Sequence, residues 1–324
     1  MKMNLKTFLI VFLLSLPFWW GINLLEKDLK DFFFWQEISR NPQIFTAQIV
    51  LEEELRDLKP IRDKKVEDLE IGAKSAISVL FKNSGEEKIL FEKNINQKLP
   101  IASLTKLMTA KVVLGYYDLS KEIKVSEEAV AKEEDFGKLK AGKKFLVEYL
   151  LYPLLMESSN DAAFALSNDY DETTEGKFVE LMNREAQKMN LKNTHFTNSS
   201  GLDPEEPETE INYSTITDLT GFTKELLKES LIWEILSTPK FDLYGPELIN
   251  NNELLFDESV SWQARIIGGK TGYTDMAGGC FLLVLKAPKN SGYLVNVILG
   301  TSDSNNRFIE MRKLAEWVQK AYSW

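Results

Sequence analysis

Along this chain the spacing of apolar residues changes period twice. "SAISVLF" (75–81) and "KILFEKNI" (88–95) are short, β-branched and aromatic runs on either side of "KNSGEE", which predicts a β-hairpin around an Asn-Ser-Gly turn. From Ser103 onward the period lengthens. Apolar residues at 104, 107, 108, 112 and 114 predict a helix over 103–117. "KKFLVEYLLYPLLMES" (143–158) predicts a second, almost wholly buried helix, and "NREAQKMNL" (183–191) belongs to a third. "STITDLTGFTKELLKES" (214–230) predicts a fourth, with Ser214 or Thr215 placed to cap it. After Trp262 the pattern returns to strands in "ARIIGGKTGYT", "CFLLVLKA" and "YLVNVIL". An amphipathic helix from about Ser304 closes the chain, with Phe308, Met311, Ala315 and Val318 on one face.

Strands, then helices, then strands, then a helix predict an α+β fold. An antiparallel sheet flanked by helices is completed by the two ends of one domain, with an all-helical lobe inserted between them. A site is expected in the cleft between sheet and lobe. The N-terminus reads differently. Lys2 and Lys6 precede an uncharged 19-residue stretch, Thr7 to Leu25, with Phe18, Trp19 and Trp20 at its end. That length sits at the short end of what spans a bilayer, and the positive flank would stay in the cytoplasm. The expectation is an uncleaved anchor over 1–25 with the remainder extracytoplasmic. A cleaved signal peptide is the rival, although no small-x-small site follows the apolar stretch. Residues 26–70 are highly charged and read as a stalk or as a solvated helix of the main domain, which would occupy 71–324.

Composition narrows the chemistry. The net charge of −10 over 324 residues argues against nucleic acid as a partner, because phosphate neutralisation needs a basic face. With one cysteine and one histidine, no disulfide forms within the chain and no His/Cys zinc site can be assembled. No metal or cofactor is expected. Cys280 opens an apolar run and reads as a small packed hydrophobe, and His195, beside Phe196, as a structural residue. A hydrolase built on this chain would draw its base from elsewhere.

Ser103 and Lys106, in "PIASLTKLMTA", share one helix face at i and i+3. A serine hydroxyl needs a group to take its proton, and a lysine does so only when burial or a neighbouring cation keeps it neutral. In "LLMESSNDAA", Ser158 and Asn160 end a helix and point the same way, or merely cap the next one. "GGKTGYTDMAGG" places Lys270, Thr271 and Gly272 on a strand edge, where a cation and a hydroxyl suit a carboxylate and a side chain at Gly272 would block approach. An ordinary Gly-rich hairpin is the plain alternative.

Together these three motifs, with "NTHFTNSSGLD", closely resemble the low-molecular-weight penicillin-binding proteins, the serine D-alanyl-D-alanine carboxypeptidase family, from about Ile71 to the C-terminus. The resemblance implies a β-lactamase/transpeptidase-like fold and removal of the terminal D-alanine from peptidoglycan stem peptides ending in D-Ala-D-Ala. β-Lactams would be covalent inhibitors. It implies Ser103 as the acylated nucleophile, Lys106 as its base, Ser158 as proton relay, and Asn160 as the holder of Lys106 and the substrate amide. Lys270 and Thr271 would bind the terminal carboxylate, and Lys270 would also keep Lys106 from protonating. The oxyanion hole would be the backbone N–H groups of Ser103 and Tyr273. Where the family often has glycine, this chain has Ser159.

Three other readings share the motifs. A D,D-endopeptidase would differ only in its leaving group. A serine β-lactamase would need a base for deacylation, for which Glu208 in "EEPETEIN" is the candidate, although the stretch reads better as a solvated acidic loop. A catalytically silent wall-binding protein would keep the fold and lose penicillin labelling.

Overall fold

The computed structural model describes residues 59–132, 138–170, 173–204, 206, 210–242 and 247–324, together with residues 29, 32, 33, 36, 39 and 40. Residues Arg62–Trp324 form one compact unit, to which the following description applies.

Its centre is a five-stranded sheet of β1 (Ser75–Lys82), β2 (Glu87–Lys93), β3 (Ile266–Thr274), β4 (Gly278–Lys286) and β5 (Gly292–Thr301). The spatial order is β3-β4-β5-β1-β2, antiparallel throughout. β5 docks on β1 with Val295 opposite Val79 and Val297 opposite Ile77, so the two ends of the domain do complete one sheet. The central strands read as nearly unbroken apolar runs because both faces are covered. Along β1, Ile77, Val79 and Phe81 join the core shared with the helical lobe, while Ala76 and Leu80 join the core beneath the last helix. β4 splits in the same way: Cys280, Leu282 and Val284 face the lobe, and Phe281, Leu283 and Leu285 face the helix.

The lobe is built from α1 (Thr105–Tyr116), α2 (Val147–Tyr152), α3 (Asn160–Asn168) and α4 (Glu175–Lys188), and α5 (Ile216–Leu226) and α6 (Ser230–Ser237) lead the chain back to the sheet. α1 is its axis, with Leu107, Met108, Ala110, Val112 and Val113 fully buried. α5 is capped by Thr215, whose hydroxyl accepts from Asp218 N at 3.2 Å. α7 (Asn306–Ala321) closes the chain and buries Phe308, Met311, Leu314, Ala315 and Val318 against the far side of the sheet.

The stretch 143–158 departs from the single helix its apolar pattern predicts. Lys144–Leu146 is a strand paired with Glu122–Lys124, α2 lasts six residues, and Pro153–Glu157 forms a wide π-type turn. Pro153 has no N–H to continue the α ladder and its ring crowds the preceding turn, so the backbone opens there. Ser158 ends the turn in the left-handed region at φ +66°.

Candidate active site

Ser103 lies in a short 3₁₀ turn, Ala102–Leu104, that runs directly into α1. Ala102 holds a left-handed φ of +46°, and its carbonyl packs so closely on Gly201 that a Cβ there would fall 2.0 Å from Ala102 O. One turn after Ser103, at the second position of α1, Lys106 is completely buried. Its Nζ lies 2.8 Å from Ser103 Oγ, 2.8 Å from Asn160 Oδ1 and 2.7 Å from Ser200 O. Two of these partners are carbonyl oxygens, which only accept, and the third is a hydroxyl, which can donate. A neutral amine satisfies all three, with its two N–H groups toward the carbonyls and its lone pair toward the Ser103 proton.

The opposite wall is the turn after α2. Ser158, turned into the cleft by its left-handed backbone, accepts a hydrogen bond from Lys270 Nζ at 2.8 Å, and the same Nζ donates to Thr271 O at 2.9 Å. Ser159 points away from the cleft chemistry, buried, and accepts from Ala162 N at 3.1 Å as the cap of α3. Both readings of "ESSN" therefore hold together: Ser158 and Asn160 serve the cleft while Ser159 starts the helix. Each lysine has its own serine, Lys106 with Ser103 and Lys270 with Ser158.

β3 is an edge strand, so its outer backbone groups are left to the cleft. Its period of two puts Lys270 and Gly272 opposite Leu282 and Cys280 on the lobe face. Thr271, one step out of phase, donates its hydroxyl to Asn251 Oδ1 at 2.9 Å. A Cβ at Gly272 would stand 2.9 Å from Ser103 N and 3.1 Å from Ala102 Cβ. The sequence-level reason for this glycine, access for a ligand, is thus joined by a nearer one: β3 packs directly on the backbone of the nucleophile's turn. Tyr273, at the rim, is exposed, with its hydroxyl donating to Asp275 Oδ1 at 3.3 Å.

Ser103, Ser158, Asn160, Thr271, Gly272 and Tyr273 line a cleft of about 630 Å³ that also includes Glu157, Asp203, Ser304 and Arg307, with Lys106 and Lys270 buried behind its wall. Arg307, from the first turn of α7, donates to Gly272 O at 3.1 Å. Three cations converge here. Burial, then the charge of Lys106, then that of Arg307, holds the Lys270 ammonium well below the ordinary lysine range. Repulsion between the two buried lysines is mutual, so the state with both protonated is the costly one.

Four contributors escaped the sequence reading. Ser200 acts through its carbonyl, which leaves no side-chain signature. It is held by a network in which Asn198 Oδ1 accepts from Gly201 N at 2.6 Å, and Asn212 Nδ2 donates to Asn198 O and to Thr105 Oγ1, both at 3.0 Å. Asp203 ties this loop to the β3–β4 turn, accepting from Thr274 Oγ1 at 2.7 Å and Met276 N at 2.9 Å. Asn251 and Arg307 come from a loop and a helix start whose local patterns carry no motif. His195 is not in the cleft; its Nε2 is 3.4 Å from Glu210 Oε2 on the surface. Cys280 is fully buried with its thiol pKa pushed up to about 12 by burial. Glu208 lies outside the described residues.

A Ser-Lys pair at the junction of an antiparallel sheet and a helical lobe, faced by a second lysine on the sheet edge, defines an α+β protein of the transpeptidase-like class. The model of the Peptidase_S11 family, D-alanyl-D-alanine carboxypeptidase, matches residues 62–303, and the chain belongs to that family. It is 30% identical over 271 residues to D-alanyl-D-alanine carboxypeptidase DacF of Bacillus subtilis, covering 80% of this chain and 65% of the relative. It is 30% identical over 260 residues to DacA of Escherichia coli, covering 76% of this chain and 61% of that one. The chain thus spans somewhat less than two thirds of the length of these two relatives. Penicillin-binding protein D2 of Listeria monocytogenes, solved in a cefotaxime-bound form, superposes with a TM-score of 0.63 at 27% identity, over 78% of this chain and all of that one.

Proposed function

We propose that this protein is a serine-type D-alanyl-D-alanine carboxypeptidase, which removes the terminal D-alanine from peptidoglycan stem peptides through an acyl-enzyme on Ser103. The observation that carries the reading is the buried Lys106 Nζ, 2.8 Å from Ser103 Oγ and braced by Asn160 Oδ1 and Ser200 O. In this reading Lys106 takes the Ser103 proton as Oγ attacks the carbonyl of the penultimate residue. The backbone N–H groups of Ser103 and Tyr273 receive the oxyanion, and Ser158 passes a proton to the leaving amine. Lys270, Thr271 and Arg307 hold the terminal carboxylate. Its arrival restores the charge on Lys270 that burial opposes, so binding and cation formation reinforce each other. Water then releases the shortened peptide. β-Lactams acylate the same serine.

The relatives named as carboxypeptidases support the reaction class. The N-terminal charge pattern supports a cytoplasmic-membrane tether over residues 1–25, cytoplasmic at its start, with the charged stretch from 26 as a stalk that ends before the compact unit beginning at Arg62, and the catalytic domain outside. The segment Thr7–Leu25 lies outside the described residues, and among those described no helix is long and apolar enough to cross a membrane. Incubation with a diacyl-Lys-D-Ala-D-Ala peptide tests the proposed reaction. Stoichiometric and continuing release of D-alanine is expected, and no release from folded protein would contradict it.

A further inference from the structure

Beside the cleft lies a smaller pocket of about 130 Å³ lined by Lys132, Asn160, Phe164, Glu175, Ser199 and Leu202, among others. Asn160 and Leu202 line both spaces. The pocket starts close to the nucleophile, because Asn160 Oδ1 and Ser200 O, both from its wall residues, hydrogen-bond the same Lys106 Nζ as Ser103 Oγ. Thr271, Gly272 and Arg307, which line the cleft, do not line this pocket. It therefore opens on the acyl side of the scissile bond, away from the terminal carboxylate.

Its chemistry is specific. Lys132 Nζ stands 4.1 Å from the Phe164 ring centroid, a cation held over an apolar floor. Glu175, at the first position of α4, is fixed by Ser199, whose N–H and Oγ donate to Oε1 at 3.1 and 2.9 Å. One cation, one anion and two apolar side chains, Phe164 and Leu202, complement an aliphatic stem that ends in both a carboxylate and an ammonium. The space is about a fifth of the cleft's, on the scale of one side-chain end.

Resting on the carboxypeptidase reading, we infer that this pocket receives the zwitterionic side-chain end of a diaminopimelate residue at the third position of the stem peptide. A lysine at that position ends in an ammonium alone and leaves Lys132 without a partner. With the acyl carbon at Ser103 belonging to residue four, the third side chain is the first upstream one able to turn into the pocket, since each residue extends about 3.3–3.6 Å.

The test compares two otherwise identical peptides ending in X-D-Ala-D-Ala, with X either meso-diaminopimelate or lysine, on the full chain and on Lys132→Met. We expect the wild type to favour the diaminopimelate peptide by about tenfold or more in kcat/KM, carried by KM, and Lys132→Met to bring that ratio toward one. A purely structural fault in the variant would lower both rates and leave the ratio in place, which would overturn the inference. So would equal turnover of both peptides by the wild type, with the carboxypeptidase reading intact. Release of D-alanine from neither would remove the carboxypeptidase reading, and this inference with it.

Discussion

Against α7 the sheet presents Ala76, Leu80, Phe281, Leu283 and Leu285; against the lobe the same strands present apolar residues of the same kind until β3, where Lys270 enters opposite Leu282. The helix side is mainly aliphatic and aromatic packing around residues such as Met311 and Leu314, with Ser78 and Asn296 buried side by side among it and Glu310 accepting from Gly72 N at 2.6 Å. The lobe side buries Lys106, Asn160 and Lys270, and the adjoining sheet edge Thr271, each with hydrogen-bond partners. Buried apolar contacts are non-directional, so the first face needs only the right size of side chain. Buried polar groups carry a desolvation cost that only well-placed partners offset, so the second face fixes geometry at the expense of stability. The helix side chiefly stabilises the domain, while the lobe side uses some of that stability to hold a reactive arrangement.

Substitutions should separate the two faces. The largest expected effect is on the lobe side: Lys106→Met should slow acylation of Ser103 by fluorescent penicillin by about 10²–10⁴-fold, the range for losing a general base. On the helix side Leu314→Ala should cost about 2–5 kcal/mol in a denaturation curve and leave acylation by the folded fraction unchanged. A reversal of these two outcomes would remove the division of labour. Next, Gly272→Ala presses a methyl group 2.9 Å from Ser103 N and should reduce acylation by more than about tenfold, the scale of a disturbed oxyanion donor. Stopped-flow acylation and thermal melts together would show whether the loss is catalytic or global.

Two smaller effects sharpen the picture. The folded state holds the Lys270 pKa well below its unfolded value, so between the two values the unfolded chain binds more protons than the native one. Stability should therefore rise with pH through that window, by at most about 1.4 kcal/mol per unit, and Lys270→Met should flatten the rise. Denaturant melts at several pH values read this directly, and a rise of equal slope in the variant would assign it to another group. Finally, Ser159→Ala removes the cap of α3 and should cost about 1 kcal/mol with little change in acylation, because Ser159 serves the helix and not the cleft.

What could be read in the sequence follows the same physics. Ser103 and Lys106, Ser158 and Asn160, and Lys270 and Thr271 are local pairs, so their spacing is visible before any fold is known. The antiparallel sheet, the inserted lobe and the buried face of α7 follow from apolar periodicity, which reports burial. Periodicity does not separate a buried strand from a buried helix, and that is why 143–158 resolves into a strand, a short helix and a π turn, with Pro153 the visible warning. Ser200 O and Asp203 reach the cleft from one loop, and Asn251 and Arg307 from two other places in the chain. A backbone carbonyl and isolated polar residues carry no spacing to read.

That Ser103 is the nucleophile of the cleft is tested most directly by the mass of the protein after exposure to penicillin. We predict one added penicilloyl group, located by peptide mapping on the segment containing Ser103 and absent from Ser103→Ala. An unmodified mass in folded wild-type protein, or an adduct that survives Ser103→Ala, would contradict the account.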